Sequence, residues 1–140
     1  MNIKIAEQIS DALNAYNLLN IELTPEMVLE KAENYIYLVD SQENLIGAVK
    51  YTKINWYLGT IAHLTILPEH RKKGNGYGLL KKAEDRAREN NLGVLQATII
   101  EDNVPSIRCF EKIGYGKVNC FLNIKTERKI YIYQKILTPC

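Results

Sequence analysis

The stretch Leu64-Thr65-Ile66-Leu67-Pro68-Glu69-His70-Arg71-Lys72-Lys73-Gly74-Asn75-Gly76-Tyr77-Gly78 decides the reading of this chain. Its first residues close an apolar run from about Tyr57 to Leu67, a strand that must stop at Pro68 because proline cannot donate to a sheet ladder. Its last residues open an amphipathic helix with Leu79, Leu80, Ala83 and Ala87 on one face. Between them lies a glycine-rich turn. Strand, turn and helix N-terminus together aim free backbone N–H groups at one point, where the helix dipole adds positive potential. Gly74, Gly76 and Gly78 let a bulky anion approach, since no Cβ stands in the way, and Arg71, Lys72 and Lys73 add charge at the same mouth. The spacing is neither the dinucleotide fingerprint nor a P-loop, so a nucleotide-like phosphate is implied in another fold.

Upstream, residues 2–5 read as a short edge strand, and Ile9, Ala12, Leu13, Tyr16 and Leu19 mark a helix over 7–19. Thr24 can cap a second helix that has Pro25 in its first position, Glu26 beside the dipole's positive end, and an expected end near Asn34. Residues 35–39 and 45–54 read as two strands joined by the polar turn 40–44. Downstream, Gly93 ends the long helix, 94–100 is a buried strand, and Pro105–Ile113 is a short helix closed by Gly114. The strands 117–124 and 130–137 flank the turn 126–129. The order β-α-α-β-β-β-α-β-α-β-β predicts a mixed α/β domain of about seven strands with helices on both faces. No repeat or linker interrupts residues 1–140, so one domain is expected.

Composition is that of a globular protein, with 46% hydrophobic and 24% charged residues in 140. No apolar run approaches the roughly 20 residues of a membrane helix, and no signal-peptide core follows Met1. Cys109, Cys120 and Cys140 are odd in number and lack metal-ligand spacing, which points to reduced thiols, a cytoplasmic location and no metal site. The net charge of +2 is unevenly spread. Residues 1–40 are acidic and residues 71–88 basic, so one end suits a cation and the middle an anion. The basic stretch offers only Tyr77 as an interleaved aromatic, which argues against a nucleic-acid surface.

Arg71-Lys72-Lys73-Gly74-Asn75-Gly76 resembles the Arg/Gln-x-x-Gly-x-Gly/Ala signature of the GNAT superfamily of N-acetyltransferases. The preceding Leu64-Thr65-Ile66-Leu67-Pro68 is similar to the family's strand with a proline before the loop. A second stretch, Asn103-Val104-Pro105-Ser106-Ile107-Arg108-Cys109-Phe110-Glu111-Lys112-Ile113-Gly114-Tyr115, is similar to the family's Asn-x-x-Ala/Ser segment ending Tyr-Glu-Lys-x-Gly-Phe. The resemblance covers about residues 57–117 and fades over 1–34.

The resemblance implies a GNAT fold, mostly antiparallel, and acetyl-CoA as cosubstrate. It implies that backbone amides from Lys72 to Tyr77 hold the pyrophosphate, with Gly78 opening the helix behind. The main chain of Leu64 and Ile66 would pair with the pantetheine arm, where the strands 57–67 and 94–100 splay and leave backbone groups free. One such N–H would serve the oxyanion of the transfer. Asn103 and Phe110 would lie along the cofactor, Asn103 also fitting a helix cap.

The catalytic pair is less regular. Phe110 stands where many members place a tyrosine acid, and it has no proton to give. The positions of the family's base align with Thr60 and Thr98, whose hydroxyls can hold a water but cannot act as bases near neutral pH. His63 has a suitable pKa but lies three residues from Thr60, hence on the other side of a regular strand. The expected acceptor is a primary amine, either a peptide N-terminus or a small molecule. An α-amino group loses its proton about three units more easily than lysine, a difference of about 4 kcal/mol. Glu22, Glu26, Glu30 and Glu33 suit an acceptor that is cationic or near basic groups. A GNAT-fold module that binds an acyl-CoA without turnover is the alternative. Either a monomer or a homodimer fits the pattern.

Overall fold

The computed structural model describes residues 1–140 and contains six strands and four α-helices. The elements are α1 (Ile3–Tyr16), α2 (Pro25–Glu30), β1 (Tyr35–Val39), β2 (Leu45–Lys53), β3 (Leu58–Ile66), α3 (Asn75–Glu89), β4 (Val94–Ile100), α4 (Val104–Lys112), β5 (Gly116–Asn123) and β6 (Arg128–Ile136). The sheet order is β1-β2-β3-β4-β6-β5. β1–β2, β4–β6 and β5–β6 are antiparallel, and β3–β4 is parallel. The chain divides into two compact units, residues 1–51 with 63–79 and residues 52–62 with 80–140.

The first unit departs from the sequence reading at its start. Residues 2–5 are not an edge strand, so the sheet has six strands rather than about seven. Asn2 caps α1 instead, its side chain accepting from the Ile5 N–H at 2.9 Å. The alternation Ile3-Lys4-Ile5 is too short to hold a strand when Ile5, Ala6, Ile9, Ala12 and Leu13 form one buried helical stripe. Thr24 caps α2 as expected, accepting from Met27 at 3.2 Å. α2 stops at Glu30, and a 3₁₀ turn over Ala32–Asn34 carries the chain into β1. The core of this unit gathers the α1 stripe with Val28, Tyr35, Leu45 and Ala48.

In the second unit Leu80, Ala83 and Ala87 of α3 are buried, as are Leu95, Ala97 and Ile99 of β4 and Phe110 of α4. Gly59 packs closely here: a Cβ would come within 2.8 Å of Leu92 Cδ1 and 3.0 Å of Leu95 Cδ2, so these buried leucines would have to shift. Glu84 is buried and accepts from Lys135 Nζ at 2.9 Å and Arg88 Nη2 at 3.0 Å. Burial alone would raise its pKa, but these two hydrogen-bonded cations outweigh it and hold the carboxyl below the usual range. Tyr115 is the opposite case: its ring meets Phe110 edge to face at 4.9 Å, while its buried hydroxyl has no hydrogen-bond partner. Burial, with the charge of Glu84, raises its pKa, so it keeps its proton. Tyr115→Phe removes that orphaned group, and we expect about 1 kcal/mol of added stability, seen as a melting midpoint roughly 2–5 °C higher by circular dichroism. A lower midpoint would mean that the hydroxyl is satisfied.

Candidate active site

The expected anion loop is built within the first unit. β3 ends at Ile66, Pro68–His70 form a 3₁₀ turn, and α3 begins at Asn75. Lys72 (φ 60°) and Gly74 (φ 84°) are both left-handed, the backbone form that turns successive N–H groups toward one concavity. Two side chains hold that shape: Arg71 Nε donates to the Ile66 carbonyl at 2.8 Å, and Asn75 Nδ2 donates to the His70 carbonyl at 2.9 Å. The first α3 bond runs from Gly78 N–H to the Gly74 carbonyl at 3.0 Å, so the N–H groups of Asn75, Gly76 and Tyr77 precede the helical ladder. Gly74 thus occupies the cap position with no side chain to compete for them. A Cβ built on Gly74 or Gly78 meets no atom within 4 Å, which leaves the face of the loop open to a bulky anion. Lys72 and Lys73 are exposed beside it. Arg71 is less available than its place in the motif suggests, because its guanidinium also lies 5.2 Å over the Tyr16 ring.

β3 itself is irregular at the residue next to Leu64. His63 is left-handed (φ 57°) inside the strand, a conformation that costs a non-glycine residue about 1–3 kcal/mol. Thr65, buried, braces it: its hydroxyl donates to the His63 carbonyl at 2.9 Å and accepts from Asn17 Nδ2 at 2.8 Å. The strict alternation that put His63 on the far side of a regular strand does not hold through such a residue. Its imidazole lines a cavity of about 290 Å³ with Leu19, Ile21, Leu23, Met27 and Lys50. Burial and the neighbouring Lys50 charge lower its pKa from 6.5, so the ring is neutral at pH 7 and has a free nitrogen.

The other expected residues fall in the second unit. The parallel β3–β4 pairing runs from Leu58↔Val94 to Ile61↔Ala97, with Thr60 opposite Gln96. Thr98, exposed and two residues beyond Gln96, shares its face of the sheet, so the two threonines stand on one surface with a glutamine between them. Gln134 Nε2 donates to Gln96 Oε1 at 2.8 Å, a polar pair that periodicity alone could not assign because it joins strands 38 residues apart. Asn103 caps α4, accepting from the Ser106 N–H at 3.4 Å, and is exposed. Phe110 is buried at 3% exposure. Asn17, Thr65, Tyr35 and Lys50 escaped the sequence reading, since each gains meaning only through partners far along the chain.

An open mixed sheet, with a glycine loop of free N–H groups between a strand and a helix, defines the class as an α/β domain whose loop has the form of an anion cradle. The chain belongs to the acetyltransferase (GNAT) family, whose model matches residues 6–115. It is 37% identical over 70 residues to streptothricin acetyltransferase of Streptomyces lavendulae, a match covering 50% of this chain and 36% of that protein. The chain therefore spans about a third of this curated relative's length in the matched region. In fold it is similar to Ard1 of Thermoplasma volcanium, with a TM-score of 0.83, 17% identity and coverage of 99% and 95% of the two chains. It is equally similar to yncA of Salmonella typhimurium, solved with its cofactor acetyl-CoA, with a TM-score of 0.83, 17% identity and coverage of 100% and 92%. No helix is long and apolar enough to cross a membrane.

Proposed function

We propose that the chain transfers the acetyl group of acetyl-CoA to a primary amine. The observation that carries this reading is the open loop at Gly74–Gly78, whose unpaired N–H groups and neighbouring lysines fit a pyrophosphate. Lys72 to Tyr77 would hold that group through the backbone, with Leu64 and Ile66 offering main chain to the pantetheine arm. Since Arg71 occupies the Ile66 carbonyl, the Ile66 N–H and the groups of Leu64 are what remain for that pairing. Asn103 and Phe110 are assigned to the cofactor by the family motif. Acetyl-CoA supplies an activated acetyl thioester: the amine's N–C bond forms as the C–S bond breaks, giving an acetamide and a free thiol.

His63 is the base this reading favours, because it lines the cavity as a neutral imidazole one residue from Leu64. It takes the proton that the amine loses, at its unprotonated ring nitrogen. Thr60 and Thr98 remain water-holding positions on the sheet face around Gln96. The thiolate's proton then comes from solvent, since Phe110 has none and the Tyr115 hydroxyl is buried. We expect Phe110→Tyr to leave kcat unchanged in a steady-state assay; a rise would show that this ring reaches the departing sulfur. Residues 1–140 act as one domain on this reading, supported by a single family model that runs from 6 to 115.

Calorimetric titration with acetyl-CoA and desulfo-CoA at two salt concentrations tests the cofactor assignment. Saturable one-to-one binding that weakens with salt is expected. No binding to either ligand would remove it. The buried phenylalanine at position 110 favours a second reading, an acyl-CoA-binding module without turnover, which binding without amine-dependent thiol release would support.

A further inference from the structure

The cavity beside His63 carries a charge pattern that the transfer reaction alone does not require. Lys50 and Tyr35 are cross-strand partners on β2 and β1, so their side chains share one face and both line the cavity. The Lys50 ammonium is half-buried and forms no ion pair, and the Tyr35 hydroxyl makes no hydrogen bond within the protein. Burial raises the Tyr35 pKa, which keeps its proton in place for donation. Two idle donors, one of them cationic, thus face the same space as His63. Of the four acidic residues near the N-terminus that suggested a cationic acceptor, only Glu30 lines the cavity, where exposed Lys31 offsets it. The remaining lining is the apolar set Leu19, Ile21, Leu23 and Met27, with exposed Asn20 as its one other polar member. A volume of about 290 Å³ lies at the low end for a ligand site, suited to a small molecule.

We infer that the acceptor is a free α-amino acid with an apolar side chain. Its carboxylate is held by Lys50 and Tyr35, its amine is presented to His63, and its side chain lies against Leu19, Ile21, Leu23 and Met27. The inference rests on the transfer reading for the role of His63. It goes further in requiring a carboxylate beside the amine, which a peptide N-terminus or a simple amine lacks.

The test compares leucine, methionine and phenylalanine with their amides. Each is titrated calorimetrically into the protein saturated with desulfo-CoA, and each is assayed for acetylation with acetyl-CoA. For at least one pair the acid should bind about 10- to 100-fold more tightly than the amide, the range expected of a charge-assisted contact. Lys50→Met should abolish that preference and Lys50→Arg restore most of it, while Tyr35→Phe, which keeps the buried ring, should reduce it. Equal binding of acid and amide for all three pairs, or a preference indifferent to Lys50→Met, would overturn the inference. Acid-selective binding without acetylation would fail the transfer reading and leave carboxylate recognition standing. Acetylation of the amides as readily as the acids would do the reverse.

Discussion

Gly76→Asp is expected to weaken acetyl-CoA binding by at least about 100-fold while leaving the fold intact. The new carboxylate enters the first turn of α3, among the N–H groups that would hold a pyrophosphate. A unit charge about 4 Å from another, at an effective dielectric near 20, costs about 4 kcal/mol, or roughly three decades of affinity. The helix itself gains from the same change. Gly76 has an ordinary negative φ, and an acidic residue in a first turn is favoured by the dipole by about 0.3–1 kcal/mol. Calorimetric affinity should therefore collapse with no fall in melting temperature. Retained affinity would mean that the loop is only a strand–helix connection.

His63→Asn should lower kcat by about 100-fold or more, the usual range for losing a general base, with acetyl-CoA affinity unchanged. Asparagine is the suitable replacement because it tolerates the left-handed conformation, so the irregularity in β3 persists without the imidazole. The pH dependence carries the same sign. Wild-type kcat should fall as pH drops through a pKa below 6.5, because the neutral ring is the active form and burial with Lys50 disfavours its protonation. Lys50→Met removes part of that effect, so the acid limb should move to higher pH. Steady-state kcat against pH for the three proteins decides it. An His63→Asn enzyme with full kcat would move the base elsewhere on the sheet.

The fold and the glycine-rich loop were legible because their signals are local. Pro68 after an apolar run, three spaced glycines and an amphipathic stretch follow one another within about 25 residues, and each constrains its own backbone. Thr24 and Asn103 were likewise readable as caps from their immediate neighbours. Residues 2–5 misled because three alternating residues satisfy a strand pattern as well as the first turn of a helix, and only Asn2 as a cap separates the two. His63 was harder. Nothing in its neighbours announces a left-handed residue in mid-strand, since the Thr65–Asn17 brace reaches 48 residues away. The pairing of Lys50 with Tyr35 depends on hairpin register, and the joint surface of Thr60, Gln96 and Thr98 on a parallel crossover. Long-range pairing of this kind leaves no trace in any one window of sequence.

The most direct measurement is release of free thiol when the purified protein is mixed with acetyl-CoA, with and without an α-amine panel, in wild type and His63→Asn. We expect thiol release that requires the amine, matches acetamide formed one to one, and is about 100-fold slower in the variant. Saturable acetyl-CoA binding with no amine-dependent thiol release across the panel would contradict the transfer reading and leave a protein that holds the cofactor without using it.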